Sequence, residues 1–235
     1  LRGTNTTFSN NGTFDYSLDG WMRDLSTNNR FDNAGTLRKS GGAGDLLVDL
    51  ELINTGAIES LSGNIRLPSN WQNDGTLRGT AAFEANLLTN AGTIAPGLAG
   101  APNAADLTFT GDLLQDTAGL FSFDVGGGGL SDLLLVSGGV TFAGQVLVSP
   151  LAGYLPQIGD NFLVMTFDSY TGSLADVVEV GFGAGVQFAA LYSENALNLQ
   201  VTAVPEPSTW AMLIAGIGLL GYRVRRRGAA RQPAC

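Results

Sequence analysis

Five short segments of this chain share one pattern: apolar, any residue, Asn, any residue, Gly, Thr or Ala, apolar. They are FSNNGTF (residues 8–14), FDNAGTL (31–37), LINTGAI (52–58), WQNDGTL (71–77) and LTNAGTI (88–94). Their glycines, Gly12, Gly35, Gly56, Gly75 and Gly92, lie 23, 21, 19 and 17 residues apart. A self-similar period of about 20 residues points to units that cannot bury an apolar face alone and do so by stacking.

Within one copy the local chemistry reads as a turn between two extended runs. Asn-x-Gly is expected to supply left-handed backbone conformations that other residues resist. The Thr and branched apolar residue that follow restart a strand. Further strand-like runs lie between copies, such as LLVDLEL (46–52) and NIRL (64–67). The expected fold class is all-β: a parallel β-helix, or solenoid, in which Asn10, Asn33, Asn54, Asn73 and Asn90 stack and bond through their amides. An antiparallel sandwich with N-x-G hairpins is the competing reading, but hairpin turns recur every 8–12 residues or so.

After GTIAPG (92–97) the repeat stops and alternation takes over, in LTFTGDLLQ, LFSFDVGG, DLLLVSGGVTFAGQVLVSPL and NFLVMTFDS. The expected organisation is repeat coils over 1–97, a β-rich distal part or cap over 98–203, and a distinct tail over 204–235. The N-x-G-T copies, GTIAPG, TGDL, SDLLLVSGGVTFAGQVLV and YLPQIGDNFLVMTF together resemble the distal β-helix of autotransporter-like passenger domains, over about residues 8–174. That resemblance implies a fold and a surface habitat, without an activity. The chain starts at Leu1 with the repeat already under way, so the expectation is the C-terminal part of a longer protein.

The tail, VPEPSTWAMLIAGIGLLGYRVRRRG, joins a proline-flanked acidic residue, a short apolar run and arginines. It resembles a PEP-CTERM sorting signal. The resemblance implies a recognition motif at Pro205, Glu206 and Pro207, a membrane segment from Trp210 to Tyr222, and a cytoplasmic stop signal at Arg223, Arg225, Arg226 and Arg227. It further implies an exosortase-type membrane processing enzyme as partner, in Gram-negative bacteria whose exosortase genes accompany exopolysaccharide clusters. Residues 210–222 are short against the roughly 20 apolar residues of a comfortable transmembrane helix. Interfacial Trp210 and Tyr222, with arginines behind, still fit one short C-terminal helix with the body outside.

Composition narrows the remaining chemistry. The 235 residues include no histidine, and the single cysteine is Cys235, so a thiolate–histidine pair, a disulfide and the usual metal ligand are all missing. Up to Val204 the chain holds seven basic and twenty acidic residues, which repels phosphate backbones and excludes nucleic acid as a partner. The expected role is a non-catalytic structural or adhesive protein of the cell surface or exopolysaccharide matrix, with surface glycan as a further partner. No cofactor, metal or catalytic residue is assigned.

The alternative is a polysaccharide hydrolase or lyase, whose carboxylates would be Asp45, Asp49 and Glu51, expected on one side of an extended strand with Arg38 and Lys39 as the nearest cations. GGAGDLLVD (41–49) and GGGGLSDLL (126–134) lack the tandem glycine–aspartate spacing of a calcium repeat and read as glycine turns feeding strands. Asn5-Thr6-Thr7 and Asn11-Gly12-Thr13 match the N-glycosylation triplet, with no force in a bacterial context. Among aromatics able to stack on sugars, Phe31 and Trp71 occupy the apolar phase of the repeat and are expected in the core. Phe83 is a further candidate, and Trp21, in a polar insertion, is the best for an exposed ring.

Overall fold

A computed structural model describes residues 1 and 3–204. The chain passes in order through β1 (Thr7–Asn10), β2 (Thr13–Tyr16), β3 (Gly20–Arg23), β4 (Arg30–Asn33), β5 (Thr36–Lys39), β6 (Asp45–Asp49), β7 (Glu51–Asn54), β8 (Ala57–Ser60) and β9 (Asn64–Arg66). It continues through β10 (Asn70–Asn73), β11 (Thr76–Gly79), β12 (Ala82–Asn90), β13 (Thr93–Pro96), β14 (Asp106–Gln115), β15 (Leu120–Gly126), β16 (Leu130–Ser131), β17 (Leu133–Val136) and β18 (Gly139–Phe142). The last are β19 (Gln145–Pro150), β20 (Asn161–Thr166), β21 (Ser169–Gly172), β22 (Asp176–Glu179), β23 (Gln187–Tyr192) and β24 (Ala196–Ala203). The all-β expectation holds, and the described residues contain only a three-residue 3₁₀ turn at Gly127–Gly129.

Successive strands belong to different sheets, and each pairs in parallel with the strand about three places on. One ladder runs β2-β5-β8-β11-β13-β15-β19-β22, and a second runs β3-β6-β9-β12-β14-β17-β20. The third face starts with β1-β4-β7, continues with β10 against the end of β12, and passes through β14 and β18 to β21. One pass through all three faces makes a coil. Trp71 ties the third face where the ladder lapses, its indole N–H donating to the Leu52 carbonyl at 2.8 Å. Antiparallel pairing enters through the short β15–β16 hairpin and at the distal end, where β24 joins β20 and β23 closes the sheet.

The registers explain the repeat. Its first apolar positions align as Phe8, Phe31 and Leu52, then Trp71, Leu88, Leu113, Val140 and Tyr170. Its second apolar positions align as Phe14, Leu37, Ile58, Leu77, Ile94, Phe121, Val146 and Val177. Both columns supply much of the core, apart from Phe8 and Tyr170 at the ends of the first, which are exposed. Asn-x-Gly is the corner between them. Each Asn amide donates to the next, from Asn10 to Asn33 at 2.7 Å, to Asn54 at 2.7 Å, to Asn73 at 3.0 Å and to Asn90 at 2.8 Å. Asn90 then donates to Gln115 at 2.8 Å. These side chains are buried, so the ladder satisfies asparagine amides that would otherwise be stranded away from water, and it ends on Gln115, whose Nε2 is buried without a partner.

The repeat glycines work differently from the sequence expectation. None of Gly12, Gly35, Gly56, Gly75 and Gly92 has a left-handed backbone. A Cβ on Gly35 would fall well inside contact with the Gly12 carbonyl oxygen, and Gly56, Gly75 and Gly92 meet the same obstacle one coil further on. Stacking, rather than backbone handedness, demands glycine here. The run 46–52 is also not one strand: it bends at Leu50 between β6 and β7.

Candidate functional site

That bend decides the fate of the carboxylate trio. Asp45 and Asp49 lie on β6, whereas Glu51 opens β7 on a different sheet. The trio therefore does not share one face, because the corner at Leu50 turns the chain before the alternation can carry Glu51 to the same side. The nearest cations in sequence also point elsewhere. Arg38 binds Glu59 at 2.6 Å, and Lys39, fully buried, donates to Asp19 at 3.0 Å and to the carbonyls of Gly41 and Gly42 at 2.7 and 2.9 Å.

What the fold assembles instead is an outward face on β3, β6, β9 and β12. Register puts Trp21 beside Leu47, Leu47 beside Arg66 and Arg66 beside Glu84. In the columns on either side, Asp45 lies beside Asn64, and Arg23 beside Asp49. Their inward neighbours Met22, Leu46, Val48, Ile65 and Phe83 are buried, which fixes the outward set by strand alternation. Arg66 bonds Glu84 at 2.6 Å and reaches Asp45 at 3.4 Å, while the Asn64 amide donates to Glu84 at 3.0 Å. The Glu84 carboxylate beside it holds the Arg66 guanidinium pKa above its ordinary value. Arg23 sits 5.1 Å from the Trp21 ring centroid and 3.8 Å from the Asp49 carboxylate. Trp21 is 64% exposed, as its polar insertion suggests, while Phe31, Trp71 and Phe83 are core residues. A trough of about 250 Å³ adjoins this face, lined among others by Leu47, Asp49, Arg66, Pro68, Glu84 and Asn86.

Two further charged features lie elsewhere. On the ladder of β2, β5, β8 and β11, register aligns Asp15, Arg38, Glu59 and Arg78. Glu59 is buried between its arginines, accepting from Arg38 Nε at 2.6 Å and Arg78 Nε at 2.9 Å. Burial pushes its pKa up, but those two partners outweigh burial and hold the carboxyl below the usual range. The alternation is legible in the sequence after all, since each of these residues stands three places after a repeat glycine.

Asp132 had no such signal, because it lies beyond the repeat. It is buried beside a groove of about 230 Å³ that Arg78, Ser122 and Asp124 also line. Its oxygens accept the backbone N–H groups of Ala105 and Asp124 at 2.8 and 2.9 Å. Desolvation, with repulsion from Asp124 and Asp106, outweighs those bonds and pushes its pKa up to about 6. With both oxygens engaged, Asp132 is a clamp on the 97–105 loop. Among the described residues no three His, Cys, Asp or Glu side chains converge as a metal site. Asp45, Asp49 and Asp132, the acids of the two glycine-led runs, are spoken for by Arg66, Arg23 and backbone amides.

The sorting residues proper, Pro205, Glu206, Pro207, Trp210, Tyr222, Arg223 and Arg225–Arg227, lie outside the described residues. The described body ends at Val204, one residue after β24 closes against β20 and β23. Residues 203–227 match the family model of the PEP-CTERM protein-sorting motif. The chain carries a PEP-CTERM motif. The match spans the prolines, the apolar run and the four arginines, and it begins at Ala203, the last residue of β24. No curated protein matches the chain. Among the described residues no helix is long and apolar enough to cross a membrane; the expected membrane segment falls in the tail.

Proposed function

We propose that this is an exported protein delivered by its PEP-CTERM motif to an exosortase-type membrane enzyme. It is held at the inner membrane before processing, and the body is then released to the outer surface or extracellular matrix of a Gram-negative cell. The body is a parallel β-helix that acts without catalysis, as a structural or adhesive element in contact with exopolysaccharide or surface glycan. The observation that carries this reading is the PEP-CTERM match at 203–227, joined directly to the last strand of the stacked body. At about 4.8 Å per strand spacing, the eight strands of the β2-to-β22 ladder build a rod on the order of 40 Å. Two continuous ladders and a buried amide stack make such a rod a stiff spacer, suited to holding loops away from a membrane.

Intact mass spectrometry of the protein exported by its native host tests the proposal. A mass ending near residues 204–207 is expected. A mature species that retains residues 210–227 would sink the processing step.

A further inference from the structure

We propose that the outward face of β3, β6, β9 and β12 is a binding site for a neutral polysaccharide, with Trp21 as its stacking platform. This rests on the matrix-associated reading above and names both the ligand class and the residues that take it.

The first argument is the ring itself. A tryptophan with 64% of its surface in water, on a strand face whose other outward residues are polar or charged save Leu47, leaves a large apolar area unburied. Arg23 lies over the indole, with Asp49 beside Arg23, which gives the ring a preferred orientation. Much of the ring remains open to solvent all the same. A flat, pre-oriented aromatic surface favours a partner with a flat C–H face, and the hydroxyl-bearing ring of a pyranose has one.

The second argument is the set of polar groups beyond the ring. Across the sheet from Trp21 come Leu47, then Arg66 and Glu84, with Asp45 and Asn64 alongside. The trough of about 250 Å³ continues from there past Asp49, Pro68 and Asn86. That volume sits just under the roughly 300–1,000 Å³ of drug-sized clefts and suits a single sugar ring. Carboxylate oxygens accept from hydroxyls, while the guanidinium and amides donate to them, so one strip offers both partners every hydroxyl needs. Neighbouring strands stand about 4.8 Å apart, a spacing comparable to the length of one sugar in an extended chain. A glycan lying along the coil axis can therefore meet Trp21 with one ring and the Arg66–Glu84 pair two strands later.

Charge selects the class. Asp45, Asp49 and Glu84 outnumber Arg23 and Arg66, and both arginines are already engaged with these carboxylates. Among the described residues, neither arginine side chain on this face is left without a carboxylate partner to receive a uronate, sulfate or phosphate. A neutral, hydroxyl-rich chain is the ligand that gains from the platform without repulsion from the acids.

The test uses the full chain in a zwitterionic, sugar-free detergent. Laminarihexaose, cellohexaose and mannohexaose are titrated by calorimetry against polygalacturonate and alginate as charged controls. At least one neutral hexasaccharide is expected to bind, and neither charged polymer. Trp21→Ala is expected to weaken binding at least tenfold at an unchanged urea midpoint, Trp21→Phe to keep most of it, and Arg66→Gln to weaken it several-fold. Absence of binding to all three neutral sugars, equal binding to the charged polymers, or an unaffected Trp21→Ala variant would overturn the proposal. So would capture of a surface protein in place of glycan. Retention of the tail in the mass measurement would leave this site standing, so the two readings fail separately.

Discussion

Gly12 and Gly56 occupy the same place in the repeat, yet only one of them is crowded. A Cβ on Gly12 meets nothing, whereas one on Gly56 runs into the Gly35 carbonyl. Gly56→Ala is therefore expected to cost at least about 2 kcal/mol, because the obstacle is backbone and must move the coil. Gly12→Ala should stay within about 0.5 kcal/mol. Urea titration of the pair checks this directly; equal effects would show that the glycines serve local conformation instead. The amide stack makes a matching prediction. Asn54 accepts from Asn33 and donates to Asn73 inside the core, so Asn54→Ala leaves buried partners unpaired and should cost about 1–3 kcal/mol. Asp132 gives a pH signature of its own. Its folded pKa, about 6, lies above the ordinary 3.8, so the folded state holds more protons in that window and stability falls as pH rises through it. The urea midpoint should rise from pH 7 to pH 5, and Asp132→Asn should flatten that limb.

At the level of strands and ladders, the run Asp15–Arg38–Glu59–Arg78 opposes Asp132. The folded pKa of Glu59 lies below the ordinary 4.5, so its stabilisation is present above that value and lost as pH falls through the folded pKa. Below about pH 4.5 the midpoint should therefore drop, less steeply in Glu59→Gln, as a titration of midpoint against pH would read. Much of this architecture was legible in the sequence because the N-x-G corner leaves only two residues between strands and recurs in phase. Parallel register then follows from matching Asn to Asn and apolar to apolar. Beyond Gly92 the signal fades for a physical reason. Gln115 takes over the role of Asn, and the corner lengthens to QDTAG before β15 begins. Gly119 keeps the close approach, next to the Asn90 carbonyl. Bonding along the stack survives a change of side chain and loop length, but a pattern written in letters does not. Glu51 misled because alternation cannot announce a corner: Leu50 is as apolar as a strand residue and is still packed against the core.

On the scale of the whole molecule, the candidate binding face joins residues from four strands spread over 64 positions, from Trp21 to Glu84. Exposure of Trp21 was foreseeable from its polar surroundings. Its neighbours were not, since Arg66 and Glu84 become adjacent only once the coil length is known. The tail was the most legible part, because its order of prolines, apolar run and arginines needs no tertiary context.

The corner built around Lys39 leaves one last consequence. It is the chain's only lysine, and its ammonium is sealed against Asp19 and two carbonyls. The folded body thus offers amine-reactive reagents no lysine at all. An N-hydroxysuccinimide ester should leave Lys39 of the native protein unlabelled, and a lysine-specific protease should fail to cut there. Any label or cut at Lys39 would report that the first two coils have come apart.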